Sequence, residues 1–451
     1  RILKEELEKR KSVLGDESVE VAKILKTIAN LKLKQDDLED AAAFMLESLE
    51  IYRLVDYRTV RDELSEELLF LGDIYASLGE KRKALKFLKE GLETLKETVE
   101  PKLELIAKIN HDMGELHRSL GEYEEAVTHL TQSVEVRKRI MGPLHPLLAD
   151  TISSLAFTYG DMGKMGESAD CHNFALQVYR NTHGKNSEKV ASTLNNLAMC
   201  LSDLGAYNEA LAFSEESVNI RENRFGAGHN VVASTLNNKA CILRAMGRLE
   251  EAEMDYLAAI MIGERTLGRA HPDVALRRNN LAEVYMSMHM NEKAERLLRE
   301  AVKHWSEELG PDHPRVGIGL NNLAVLLGDE GRYEEAIPLQ RQLLNIDRAE
   351  YGQLNVFVAR DLNNLGRYLR KNDQLNEAED VIRKGLKIRQ EILPANHQHI
   401  GSSLDNLAHC LLAKGEKELA FKTGKKALAI LTASLREDHD WVVQAKEHWG
   451  G

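Results

Sequence analysis

Arg360, Asn363, Arg367, Arg370 and Lys371 fall at i, i+3, i+7, i+10 and i+11. On an α-helix that spacing puts them on one face, opposite Leu362, Leu365 and Leu369. Four cations on one face of a chain with net charge −12 would attract a carboxylate-rich or phosphorylated segment. Guanidinium groups hold such oxygens in pairs. The alternative is a solvated charge stripe, or pairing with acids such as Asp405 and Asp329. Lys108 and Arg118, with His111 between them, form a weaker basic spot of the same kind.

A second set of polar residues recurs along the chain. Asn195, Asn237, Asn279, Asn321 and Asn363 stand 42 residues apart, and Asp405 ends the series. An amide both donates and accepts, so a ladder of amides can hold the backbone of an extended peptide whatever its sequence. Alternatively, the same amides bridge neighbouring helices. The asparagine that follows in each unit (Asn196, Asn238, Asn280, Asn322, Asn364 and Asn406) faces another way and is expected to be structural.

Histidines recur too. His145, His229, His271, His313, His397 and His439 are separated by multiples of 42, one in each connecting loop. Loops on successive helix pairs lie roughly 10 Å apart, whereas metal ligands sit about 2 Å from their ion. Loop capping is therefore the expected role, and no metal is assigned. There is no HExxH, GxxxxGK[ST] or GxSxG motif. No catalytic residue and no cofactor is assigned, and the chain is read as non-enzymatic.

Composition narrows the partners. The 60 Lys+Arg against 72 Asp+Glu argue against nucleic acid, which needs clustered cations. No run of 18 apolar residues is present, so membrane insertion is not expected. Cys171, Cys200, Cys241 and Cys410 form no CxxC pair and read as small buried hydrophobes in a reducing setting, intracellular and most simply cytoplasmic. The chain starts at Arg1 rather than Met, which leaves room for a removed targeting segment, and so an organelle matrix, or for an upstream domain.

What must position these side chains is a repeat. LNNLA at 194–198 returns as LNNKA (236–240), RNNLA (278–282), LNNLA (320–324), LNNLG (362–366) and LDNLA (404–408), each step being 42 residues. Walking backward by 42 gives ISSLA, INHDMG and LLFLG, and one step of 43 gives LKTIA at 25–29, which makes ten repeats. Each unit reads as two helices. Leu194, Leu197, Ala198 and Leu201 make one apolar stripe, and Gly205 ends the helix. Its equivalents are glycines, except His289 and Asp373. Small residues recur in the first helix (Gly114, Ala198, Gly366) and in the second (Ala126, Ala210, Ala378), so the two can pack closely. Arg278 and Lys239 stand out. Each puts a charge where the repeat carries an apolar or neutral residue. Either the head reaches solvent or the packing has a local gap.

The pattern of a large residue, two variable ones, a large and a small one, then Gly, an aromatic and Glu-Ala, resembles the tetratricopeptide repeat. The 42-residue period, the LNNLA motif and the LGRAHPDVA (267–275), LGPDHPRVG (309–317) and MGPLHPLLA (141–149) connections are similar to the repeats of kinesin light chains and nephrocystin-3-like proteins. The resemblance implies an all-α fold, a right-handed α-solenoid of stacked helix-turn-helix hairpins. Ten repeats span 16–433. Residues 1–15 read as the end of a preceding repeat, and 434–451 as an incomplete or capping helix.

The resemblance also implies a groove lined by the first helix of each pair. Its positions match the first asparagine of the motif, the residue three before it, and those four, seven and eight after it. The implied contact residues are Asn195, Asn237, Asn279, Asn321, Arg360, Asn363, Arg367, Arg370, Lys371, Asp405 and His409, with gaps such as the one at Val325 for apolar anchors. The chaperone-binding members place Lys or Arg at the first-asparagine position. Here that position holds Leu69, His111, Ser153, Asn or Asp405, so their carboxylate clamp is absent. The expected function is a non-catalytic scaffold or adaptor that takes peptide segments, acidic ones among them, in the groove. Two rivals remain open. One is an assembly platform that self-associates or docks partners on its outer face. The other is a regulatory array of a larger nucleotide-binding protein.

Overall fold

The structure, a computed structural model, describes residues 2–55, 60–97 and 102–450. Among the described residues it is built from 22 α-helices and no strand. Two units divide the chain, Arg1–Arg224 and Phe225–Gly451. The first contains α1 (Ile2–Leu14) and the hairpins α2–α3 (Val19–Leu33, Leu38–Leu54), α4–α5 (Arg61–Ser77, Lys81–Lys96), α6–α7 (Leu103–Ser119, Tyr123–Met141), α8–α9 (Pro146–Asp161, Met165–Thr182) and α10–α11 (Glu188–Asp203, Tyr207–Phe225). The second contains α12–α13 (Asn230–Ala245, Leu249–Leu267), α14–α15 (Pro272–Ser287, Asn291–Leu309), α16–α17 (Pro314–Asp329, Tyr333–Tyr351), α18–α19 (Val356–Lys371, Leu375–Ile392), α20–α21 (Gln398–Ala413, Lys417–Ser434) and α22 (Asp440–Trp449). Within each unit every hairpin stacks on the next, an all-α solenoid.

The repeated residues explain the hairpin. The loop histidines expected to cap do so. The Nδ1 of His145, His229, His271, His313, His397 and His439 each accepts from the backbone N–H two residues on. Each caps a helix that would otherwise start with bare N–H groups. The turn inside each hairpin needs a left-handed residue. Gly205 supplies it at φ 79°, and His289 and Asp373 hold the same conformation at 58° and 57° without a glycine. Close approach is set by the small residues. A Cβ on Gly114 would stand 2.5 Å from Leu130 Cγ. Ser133 and Ser217 tie second helix to first by donating to the carbonyls of Ala107 and Ala191, both at 2.7 Å.

Successive hairpins meet along a seam where a second-helix residue faces one 14 positions on. The pairs are matched in size. Gly263 leaves room for Arg277, and Gly319 for Trp305, whose Nε1 donates to Pro272 O at 2.9 Å. Arg389 reaches Ser403 at 2.7 Å, and Arg137 in the first unit reaches Thr151 Oγ1. In one joint the pair is two acids, Asp347 and Asp361, with the Arg360 guanidinium between them at 3.3 and 2.9 Å.

Candidate functional site

α18 begins at Asn355, whose Oδ1 accepts from Phe357 N at 2.8 Å. It buries Val358, Leu362, Leu365, Gly366 and Leu369 against its neighbours. Burial of each large side chain is worth about 1.5–3 kcal/mol, which holds the opposite face in position. That face, with α20 and α22 beside it, encloses a pocket of about 420 Å³. Arg360, Asn363, Asn364, Arg367 and Arg370 line it from α18. His399, Ser402, Asp405, Asn406 and His409 come from α20, and Trp441 and Gln444 from α22. Arg389 and Leu431 reach it from the second helices of the two hairpins. Six of the residues expected from the sequence thus meet in one cavity.

Their charges are not equivalent. Arg360 is held by Asp347 and Asp361 and lies over the Phe357 ring at 5.3 Å. Arg389 donates to His399 O and Ser403 Oγ, both at 2.7 Å. Burial pulls the Arg389 pKa down to about 10. Asp405 accepts from Trp449 Nε1 at 2.7 Å and stands 3.6 Å from His409 Nε2. His409 packs on Trp449 at 5.0 Å, and burial lowers its pKa. Arg367 and Arg370 make no ion pair with Asp405, Asp329 or any other acid among the described residues. Arg367 rests on the ring of Tyr368 at 5.2 Å. Arg370 has its Nε sealed from solvent with no acceptor, and desolvation lowers its pKa although Cys410 and Asp405 oppose the shift. Lys371 is exposed.

The asparagine ladder needs correction. Asn237, Asn279 and Asn363 are only 8%, 1% and 7% exposed. The Oδ1 of each accepts from the second asparagine of the next repeat, Asn280, Asn322 and Asn406, at 3.1, 3.1 and 3.0 Å. At these positions the amides bridge neighbouring first helices, the alternative raised from the sequence, and little of them is left for a peptide. Of the following asparagines, Asn280, Asn322 and Asn406 make these bridges, as expected, whereas Asn364 lines the pocket. Asn195 and Asn321 are half-buried, and Asn321 borders a second cavity of about 290 Å³ with Ile318, Tyr351 and Phe357. Arg360 is corrected as well. It lines the pocket, but its charge is already matched by the buried aspartates.

The matches to known sequences agree with the hairpin geometry. Profiles described as tetratricopeptide repeat (TPR) match residues 68–94, 105–173, 148–223, 232–273, 276–349 and 357–433. The chain belongs to the tetratricopeptide repeat family. This TPR chain is also similar to solved structures. Kinesin light chain nearly identical TPR-like repeats from Podosopora anserina are 22% identical over 46% of this chain and 97% of that one, with a TM-score of 0.42. BtubC (BKLC) from P. vanneervenii is 22% identical over 60% of this chain and 92% of that one, with a TM-score of 0.35. A TPR protein from Parabacteroides merdae is 14% identical over 66% and 98%, with a TM-score of 0.47. No curated protein matches the chain. TPR arrays are scaffolds for protein–protein interaction, and their fold is generally non-catalytic. No helix among the described residues is long and apolar enough to cross a membrane.

Other departures in this TPR array are resolved by partners. Arg278 is 2% exposed, so its head does not reach solvent. It binds Glu264 and Arg269 O, the latter at 2.8 Å, and lies 3.5 Å from Glu300. Lys239 pairs with Asp255 at 3.0 Å. In the weaker basic spot, Lys108 pairs with Asp73 at 2.9 Å, and Arg118 with Asp161 and Glu115 at 3.1 and 3.2 Å. Those cations are matched. Sequence reasoning missed Arg389, Trp441 and Gln444. Ser402 and Gln444 follow from extending the three-before rule by 42 residues. Arg389 belongs to a second helix and enters only through the seam.

Proposed function

We propose that this TPR chain is a non-catalytic scaffold whose second unit takes acidic peptide segments on the face shared by α18, α20 and α22. The observation that carries the reading is the pair Arg367 and Arg370, two guanidinium groups on a pocket wall with no acid of the chain beside them in ion-pair contact. Arginine forks are the side chains best suited to carboxylate recognition. Apolar anchors of the same segment have a place in the neighbouring cavity at Ile318, Tyr351 and Phe357, which are 47%, 44% and 42% exposed. Charge reversal, R367E with R370E, is expected to remove partners recovered with the wild-type chain while leaving the melting temperature in place. Undiminished recovery of every partner would remove the proposal.

A second mode, docking on the outer helices, is favoured by a different observation. Met254, Leu257 and Met261 on α13 are 63%, 46% and 68% exposed at i, i+3 and i+7. Such a stripe suits a partner helix. M254E with M261E tests it by light scattering and partner recovery, and unchanged assembly and recovery would exclude this mode.

A further inference from the structure

We propose that the α18 wall of this pocket is a receptor for a phosphate-monoester dianion, with Arg367 and Arg370 on the wall and Lys371, exposed one residue beyond Arg370, as its ligands. The inference rests on the acidic-segment reading and narrows it to a phosphorylated side chain on that segment.

Three observations carry it. The three cations fall at i, i+3 and i+4 on one helix, so they form a single patch rather than a line. A lone carboxylate offers two oxygens and is satisfied by one guanidinium fork. A phosphate dianion offers three terminal oxygens and two charges, which matches two forks and an ammonium. Next, no acid among the described residues makes an ion pair with the patch. Asp405 accepts from Trp449 Nε1 at 2.7 Å, and Asp347 and Asp361 hold Arg360. Finally, the donors are braced before any ligand arrives. Arg367 lies on Tyr368, whose ring fills the notch left by Gly328. Arg370 has its Nε shut away from water without an acceptor. Arg370 is half-buried and meets no acid of the chain in ion-pair contact, so a bound dianion would supply the anion it lacks. The weaker basic spot at Lys108 and Arg118 shows the contrast, since both of its cations already have carboxylates at 2.9–3.1 Å.

The test uses the full chain and three fluorescent peptide mixtures that differ only at one fixed central residue: phosphoserine, glutamate or serine between random flanks. Anisotropy should show the phosphoserine mixture binding about tenfold more tightly than the glutamate mixture. Inorganic phosphate should displace it and acetate should not. R370Q and R367Q should each weaken the phosphoserine mixture by about tenfold, and the glutamate mixture by less. A melting curve checks that R370Q is folded, and R367Q, at a half-buried position, gives an independent reading. Equal affinity for phosphoserine and glutamate, both above serine, with no binding of inorganic phosphate overturns the phosphate inference and leaves the acidic-segment reading standing. R370Q-sensitive binding of inorganic phosphate, with no preference among the peptides, supports the phosphate chemistry with a small phosphomonoester as its source and removes the acidic-segment reading. Binding of neither peptide nor phosphate overturns both.

Discussion

Trp449 Nε1 donates to Asp405 Oδ1 at 2.7 Å, with the indole seated over Gly424. This bond engages Asp405, the acid that lines the pocket together with Arg370, with α22. W449F keeps most of the packing and removes the donor, so Asp405 becomes free to turn toward Arg370. The expected result is a several-fold loss of affinity for acidic peptides with a lower melting temperature, read by anisotropy and calorimetry. Unchanged affinity would show that Asp405 does not compete for the arginine.

Asp361 predicts a pH effect on the second unit. Burial beside Asp347 raises its pKa from 3.8 to about 7, against the pull of Arg360. The folded state therefore binds a proton that the unfolded state gives up above pH 3.8. The stability from the protonated form is complete below about pH 4 and is lost as pH rises through about 7. D361N mimics the protonated acid. At pH 8 it should be more stable than wild type by on the order of 2 kcal/mol in urea unfolding, and near equal at pH 4. A constant difference across that range would contradict the assignment.

His172 predicts the opposite slope in the first unit. Its ring is 2% exposed, stands edge-on to Phe157 at 5.2 Å, and has no partner for Nδ1. Burial lowers its pKa from 6.5 to about 4. Stability should fall as pH drops through that window, because the unfolded chain takes up the proton first. H172L should remove an acid sensitivity on the order of 2 kcal/mol. If H172L follows the wild-type pH curve, the histidine is not buried in its neutral form.

His289 and Asp373, at φ 58° and 57°, adopt the left-handed turn that Asp36 also adopts in α2–α3, at 61°, and that glycine fills in the other hairpins. H289G and D373G should each raise stability by about 0.5–1 kcal/mol, and G205A should lower it by about 1 kcal/mol. Urea midpoints measure all three. A destabilised H289G would mean that the imidazole makes contacts worth more than the strain.

The hairpins were legible because the pattern that specifies them is local and repeats. The 42-residue spacing of LNNLA, the turn glycines and the capping histidines each act within a few residues of themselves. The cationic face of α18 was legible for the same reason, since Arg367, Arg370 and Lys371 lie on one helix. What a helix wheel cannot show is who meets whom between helices. Asn279 faces outward by spacing, yet Asn322 donates to it at 3.1 Å from the next repeat and closes it off. Arg360 belongs to the cationic stripe, yet an acid one residue away and another on α17 take its charge. Arg389 lies on a helix facing the other way and still reaches the pocket, because the joint with Ser403 points it inward.

The most direct test of the acidic-segment account is the dissociation constant of an acidic peptide mixture for wild type and for R367E with R370E, measured with the melting temperature of each. The account predicts an affinity loss of more than about tenfold, with melting temperatures within about 2 °C. Equal affinity in two equally stable proteins would contradict it.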